Sequence, residues 1–468
     1  MNLTFSLLKN RPLTLRKRHK VLLIRDVFPL AWPIFIELLC VVLMGIISTI
    51  LVSRLGQSQT AAIGISDSFT YIIYSVLAAI ELGGTVIVAQ SYGRRNSEQA
   101  LDQARQTITL NTLISVLFCI VVLLGGKSLL EIVAYGAEPE VIHFAEVYLT
   151  AMALSYPALA ITLAGSGVLR AVGNSRLPMR VNILTNLLNI AFSYPLIYGV
   201  GDWQGLGLLG AGLGVSLARW LGAFIILVYL AKNSRFVIPF KLYFSNFSRK
   251  VLADILGIGI PASVESLMFN IGKMITILMV AGMGTVAMAG NVIAFSIILM
   301  INIPGNTLGM AATVIVGKRL GQNRPRMAQQ ELVLILVTST ILLVCSTLLL
   351  VPFIDYIALL YTSEESVIDV VVKLFYMNAI MMPVWAASFV LPAAFKGAKD
   401  VKFTMWTAIL SMWGFRICCG YLFGVVLNFG VYGVWVGMFS DWIVRGTLFL
   451  LRLFNKKWLA RYFRDASR

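Results

Sequence analysis

Apolar residues run along this chain in long blocks divided by short polar connections, and the blocks have the length of membrane spans. Crossing a bilayer core takes about 20 apolar residues in a helix. Twelve such blocks are present, at 27–52, 60–90, 107–126, 142–169, 178–199 and 206–231, then 252–280, 286–317, 330–353, 367–395, 403–427 and 430–454. The strict alternation of a membrane β-barrel is absent, so the pattern predicts an all-α polytopic membrane protein.

The blocks repeat. Pro33 and Glu37 match Pro261 and Glu265 at a shift of 228, and the run 85–88, Thr-Val-Ile-Val, recurs at 313–316. Further on, Tyr135, Pro157, Arg170 and Met179 match Tyr361, Pro383, Lys396 and Met405 at a shift of 226. Near the ends of the halves, Gly207, Gly210 and Gly214 match Gly430, Gly433 and Gly437 at a shift of 223. Six spans per half make both halves enter the membrane in the same direction. Twelve transmembrane helices in two six-helix parallel repeats with a central cleft are therefore expected, with alternating access as the motion.

Composition agrees. Of 468 residues, 59% are hydrophobic and 13% charged, and the mean hydropathy of +0.86 excludes a soluble globular enzyme. The formal charge of +17 does not point to nucleic acid, because the basic residues gather in the connections. One set of connections carries Arg94 and Arg95; Arg170 and Arg176; Lys232 to Lys250; Lys318 to Arg326; and Lys396, Lys399 and Lys402. The opposite set carries Glu131, Glu138, Glu140, Asp202, Asp355, Glu364 and Glu365. The positive-inside rule then puts both termini in the cytoplasm of a bacterial inner-membrane protein. Expected divisions are a basic arm (1–26), an N-lobe (27–231), a linker (232–251), a C-lobe (252–454) and a basic tail (455–468). The arm lacks a small-residue cleavage site after the first apolar run, so it is expected to be retained. The five cysteines lie in apolar runs without CxxC spacing and read as packing residues.

Carboxylates inside a membrane are costly, at about 2.5–3.5 kcal/mol on insertion scales, and mark function. Glu37 lies about 10 residues into the first span, or roughly 15 Å at 1.5 Å per residue, and Glu265 is equally deep in the seventh. The prolines four residues before them each free a backbone carbonyl, a setting that suits a proton or small cation. Ser48 and Thr276, eleven residues on, share the faces of these two glutamates. Glu81, in the second span, has no counterpart in the repeat, since position 309 is glycine. Lys273 is deep enough to need a partner or water; it would bridge to an acid, tune a coupling carboxylate, or repel cationic solutes. Asp67 and Asp441 lie nearer span ends, where snorkelling makes them inexpensive. Tyr71, Tyr74, Trp385, Trp406 and Trp413 are candidates for stacking on a planar solute. The histidines, His19 and His143, fall near membrane edges and form no metal or acid–base cluster. No P-loop, nucleophile elbow or kinase motif is present.

Several longer matches carry a family resemblance. They are Pro-Ile-Phe-Ile-Glu at 33–37, Ser-Arg-Leu-Gly at 53–56, Val-Ile-Val-Ala-Gln-Ser-Tyr-Gly at 86–93 and Val-Leu-Arg-Ala-Val-Gly-Asn at 168–174. Leu-Ile-Tyr-Gly at 196–199, Gly-Ile-Pro-Ala-Ser-Val-Glu at 259–265 and Val-Ile-Val-Gly-Lys-Arg-Leu-Gly at 314–321 complete them. Over nearly its whole length the chain resembles the multidrug and toxic compound extrusion (MATE) family. The resemblance implies an antiporter that exchanges inward H+ or Na+ for an outward amphipathic solute, commonly an organic cation.

The chain departs from that family at its usual acids. The aspartate late in the first span is replaced by Ser48, in Ile-Ser-Thr. An aspartate four residues after an asparagine in the fifth is replaced by Ser193, after Asn189. The acid of sodium-coupled members in the tenth falls near Trp385. Serine takes up no proton at physiological pH, so coupling is expected to move to Glu37, Glu81 or Glu265. With Lys273 present, zwitterionic or anionic aromatic solutes such as flavins join drugs and organic cations as candidates. The expected partners are the bilayer and a small solute, without nucleic acid, acting on a monomer with no cofactor beyond the coupling ion. A lipid-linked sugar flippase of the same superfamily is the rival transporter. An intramembrane enzyme such as an acyltransferase is the rival from another class, and it is opposed by the lack of His, Asp or Cys clusters at membrane depth.

Overall fold

Every one of the twelve apolar blocks is helical in the computed structural model, which describes residues 23–133, 138–232, 238 and 247–459. The first half comprises α1 (Leu23–Ser53), α2 (Gln57–Gly93), α3 (Ser97–Val133), α4 (Pro139–Ala153), α5 (Tyr156–Ala171), α6 (Arg176–Tyr198) and α7 (Leu208–Lys232). A two-residue hairpin, β1 (Gly199–Val200) with β2 (Trp203–Gln204), joins α6 to α7. The second half comprises α8 (Arg249–Ala281), α9 (Thr285–Ile301), α10 (Ile303–Gly321), α11 (Pro325–Leu359), α12 (Glu365–Gly397), α13 (Val401–Val426) and α14 (Gly430–Phe454). The basic arm up to residue 22 (with His19), Tyr135, most of the linker and the tail from residue 460 lie outside the described residues.

Two blocks are broken. α4 and α5 meet at 47°, α9 and α10 at 48°, and each second helix opens with a proline at its start, Pro157 and Pro304. A proline without an N–H cannot continue the ladder, which explains the bends. Among the described residues nine helices are long and apolar enough to cross a membrane, or up to eleven if each bent pair is one span. α6 forms as expected but falls short of that measure, because Arg176, Arg180 and three asparagines dilute it. The chain is thus an all-α, multi-pass membrane protein.

Small residues fix the packing of neighbouring helices. A Cβ on Gly214 would fall 2.3 Å from the Ser193 hydroxyl, and one on Gly437 would fall 2.4 Å from the Gly420 nitrogen. The repeated glycines therefore let α7 close on α6 and α14 on α13.

The halves meet along α2, which packs on α8 and α10, and through the start of α1, whose Val27, Leu30 and Ile34 are buried among second-half residues. The seam is tight at the basic ends of these helices. Gln90 donates to the Gly397 carbonyl at 3.0 Å, and Arg319 of α10 holds Asp26 of α1. A Cβ on Gly93 would meet the Lys318 carbonyl at 2.3 Å. Backbone thus touches backbone across the seam, which seals that end of the bundle.

Candidate functional site

Between the halves lies a cavity of about 510 Å³, walled by α1, α2, α5, α8, α10, α12, α13 and α14. Glu81, Arg170, Glu265, Lys396 and Arg445 reach its lining.

Two ion pairs occupy equivalent places in the repeat. In the first half, Arg170 on the last turn of α5 donates from Nη1 to both carboxylate oxygens of Glu37, each at 3.2 Å. In the second, Lys396 on the last turn of α12 donates to Glu265 at 2.8 Å. Arg170 and Lys396 are not cytoplasmic loop charges; they turn back into the bundle with side chains only 6% and 16% exposed. A buried carboxylate in low dielectric requires such a partner, and the acids draw the cations inward.

Glu81 breaks the symmetry. Its Oε1 lies 3.7 Å from Arg170 Nη2 and accepts a hydrogen bond from Thr85 at 2.7 Å. Gly167, one turn before Arg170, makes room: a Cβ there would fall 1.8 Å from Glu81 Oε1. Glu37 and Glu81 thus share one guanidinium, leaving one negative charge in excess, whereas Glu265 and Lys396 balance.

The expected hydroxyl stripes do not serve these acids. Glu265 takes its hydroxyl from Thr404 of α13, at 3.2 Å, rather than from Thr276 on its own helix. Eleven residues separate Thr276 from Glu265, roughly 16 Å along the axis, and Thr276 donates to the Gly272 carbonyl. Ser193 donates to Asn189 Oδ1 at 2.8 Å beneath Gly214, and Ser48 is half-buried on α1. None of these four belongs to the cavity lining.

Lys273 finds no bridging acid. Among the described residues it has no ion-pair or hydrogen-bond partner, and its charged neighbour is Arg416. Asp441 is also not a snorkelling residue. It sits midway along α14, wholly buried, 2.9 Å from Arg445 and 3.8 Å from Arg416. Asp67, the other acid placed near a span end, is exposed along α2 with Arg219 as its charged neighbour. Of the candidate aromatics, Trp385 reaches the site by stacking on Phe389, which lines the cavity, with ring centroids 4.7 Å apart. Tyr71, Tyr74, Trp406 and Trp413 are exposed and away from that lining.

Arg170, Lys396 and Arg445, which line the cavity, and Arg416, which stands beside Asp441, are the buried cations that sequence reasoning missed as such. A signal existed for two of them: Arg416 interrupts an apolar run, and Asp441 and Arg445 stand four apart on one helix face.

The MatE family model matches this chain twice, over residues 33–195 and 261–422. The two matches begin 228 residues apart, which is the repeat shift of Glu37 and Glu265. A transporter of Bacillus subtilis (strain 168), the uncharacterized YisQ, is 28% identical over 436 residues, covering 93% of this chain and 95% of its own. The probable multidrug resistance protein NorM of Thermotoga maritima is 25% identical over 442 residues, 93% of each chain. An outward-facing multidrug resistance MATE transporter of the MOP superfamily superposes with a TM-score of 0.86 at 20% identity, over 94% of this chain and 96% of that one.

Proposed function

The chain belongs to the MatE family of transporters, and on that premise we propose that it is a secondary active exporter which expels amphipathic or aromatic solutes in exchange for protons. It is a transporter and not an enzyme. In this reading twelve spans form two six-helix lobes, 27–231 and 252–454, in a bacterial inner membrane. Both termini lie in the cytoplasm, and one chain works alone. Solute binds in the cavity between the lobes, and the seal through Gln90, Gly397, Asp26 and Arg319 keeps its cytoplasmic side closed.

The observation that carries the proposal is the uneven charge of the two paired sites. A guanidinium shared by two carboxylates has room for one more positive charge, and a proton supplies it. With Glu81 protonated, Arg170 still has Glu37, so no charge is stranded at membrane depth. Sodium suits the place poorly, because it needs several oxygen ligands and Arg170 already stands between the acids. Glu265, held by Lys396 and Thr404, has no such vacancy and is assigned to solute recognition and lobe structure. Ser48, Asn189, Ser193 and Thr276 are then helix-packing hydroxyls and amides, and the carboxylates missing at Ser48 and Ser193 are replaced in function by Glu81.

The test is transport by purified protein in proteoliposomes under an imposed pH gradient. Glu81→Gln and Glu37→Gln are expected to abolish gradient-driven export while leaving a monodisperse, folded protein. Export that survives both substitutions would sink the assignment.

A further inference from the structure

The second half holds a charge imbalance of the opposite sign. Arg416 and Arg445 face a single acid, Asp441, and Lys273 has Arg416 as its charged neighbour with no acid partner among the described residues, so three cations share one anion and two positive charges remain uncompensated. Asp441 is 0% exposed, Arg416 3% and Arg445 4%. Charges this deep in a membrane protein are paired or functional, because an unpaired one is expensive to bury.

Two donors in the same place have nothing to donate to. Arg416 Nε and Trp442 Nε1 are buried without an acceptor, and the nearest partner of Arg416 Nη1 is the Met412 sulfur at 3.7 Å. The residue sits in a π-helical turn, Met412–Ile417, an irregularity often found at functional sites. Aromatic faces surround the cations. The Arg445 guanidinium lies 5.3 Å from the ring centres of both Phe269 and Phe389, and Arg416 lies 5.7 Å from Phe269. Those rings spread the charge without neutralising it. Arg445, Phe269, Phe389 and Ser388 line the cavity between the halves; Arg416 and Lys273 are not in that lining, and Arg416 reaches it through the Phe269 ring it shares with Arg445.

We propose that Arg416, Arg445 and Lys273 form an anion-recognition subsite that takes the carboxylate, sulfonate or phosphate of an aromatic solute, whose ring lies against Phe269 and Phe389. The inference rests on the exporter reading and names its substrate class: amphipathic aromatic anions. Arginine presents a planar fork suited to such oxyanions, and the cavity has the size of a drug-like molecule. Asp441 fixes Arg445 and, by reducing the local surplus, keeps the anion releasable.

Binding to the purified protein in phosphatidylcholine nanodiscs, without any gradient, tests this. The probes share one xanthene ring system: fluorescein, an anion at neutral pH, and rhodamine 6G, a cation. The wild type is expected to bind fluorescein at least about tenfold more tightly than rhodamine 6G, one charge-assisted contact or more. Lys273→Gln should weaken fluorescein about tenfold, and Lys273→Glu should reverse the preference. Preference of the wild type for rhodamine 6G, which needs no variant to observe, would overturn the proposal. So would unchanged fluorescein affinity in a folded Lys273→Gln protein, or competition by inorganic phosphate as strong as by unlabelled fluorescein. Failure of the two readings is distinguishable. Rhodamine 6G moved by a pH gradient without fluorescein binding removes the anion site and keeps the antiporter. Lys273-dependent fluorescein binding without driven transport does the reverse.

Discussion

Replacing Glu81 by glutamine removes one charge and almost no volume from the shared Arg170 site, and the consequence follows from the distances. At an effective dielectric of about 20, Coulomb's law gives about 5 kcal/mol for the Glu37 contact at 3.2 Å and about 4.5 kcal/mol for the Glu81 contact at 3.7 Å. Glu37 also accepts charge-assisted hydrogen bonds that Glu81 does not, adding about 1.5–3 kcal/mol, while the Thr85 hydroxyl returns about 1 kcal/mol to Glu81. Arg170 therefore holds Glu37 more strongly than Glu81 by about 1–3 kcal/mol, and Glu81 is the acid assigned the proton. Glu81→Gln leaves a balanced Glu37–Arg170 pair like Glu265–Lys396, so the fold persists and the proton acceptor is gone. The assay is proteoliposome transport with a pH-sensitive dye inside. Gradient-driven export should be lost, while gradient-free solute exchange continues. An unchanged ratio of protons to solute in the variant would refute the reasoning.

Three other outcomes follow from the same geometry. Arg170→Gln strands two buried carboxylates and should cost about 3–5 kcal/mol, far more than Glu81→Gln, with thermal melting in detergent as the check; equal melting temperatures would contradict the shared-guanidinium account. Gly437→Ala places a Cβ 2.4 Å and 2.5 Å from backbone atoms of Gly420, which cannot swing aside, so α13 and α14 must separate at about 1–3 kcal/mol, seen as lost monodisperse yield. Gln90→Ala deletes the 3.0 Å bond to Gly397 and leaves a buried carbonyl unsatisfied, weakening the seal by about 1–3 kcal/mol. Spin labels at Arg95→Cys and Arg324→Cys should then report a larger separated population, and an unchanged distance distribution would show that Gln90 does not hold the seam.

The helices and the duplication were legible because both write themselves into the chain directly: apolar runs of spanning length, and matched prolines, glycines and acids at fixed shifts. Glu37, Glu81 and Glu265 stood out for the same reason, as carboxylates inside apolar runs. Their partners did not. Arg170 and Lys396 lie on last helical turns, where sequence cannot tell a side chain pointing to water from one turning inward. Only the packing of α1 on α6 and α10, and of α8 on α13, decides it. Asp441 was misread because its depth depends on its neighbours: Arg416 comes from another helix through a π-helical turn that no periodicity announces. The hydroxyl for Glu265 likewise arrives from Thr404, 139 residues away, while the hydroxyl on its own helix points to backbone.

The most direct test of the account is the coupling itself. Wild-type protein in proteoliposomes, loaded with fluorescein and given a proton gradient opposed to solute movement, should expel the dye while protons move the other way. Collapse of the gradient by an ionophore should stop the expulsion. Dye movement indifferent to that collapse, or no proton movement with it, would contradict proton-coupled export.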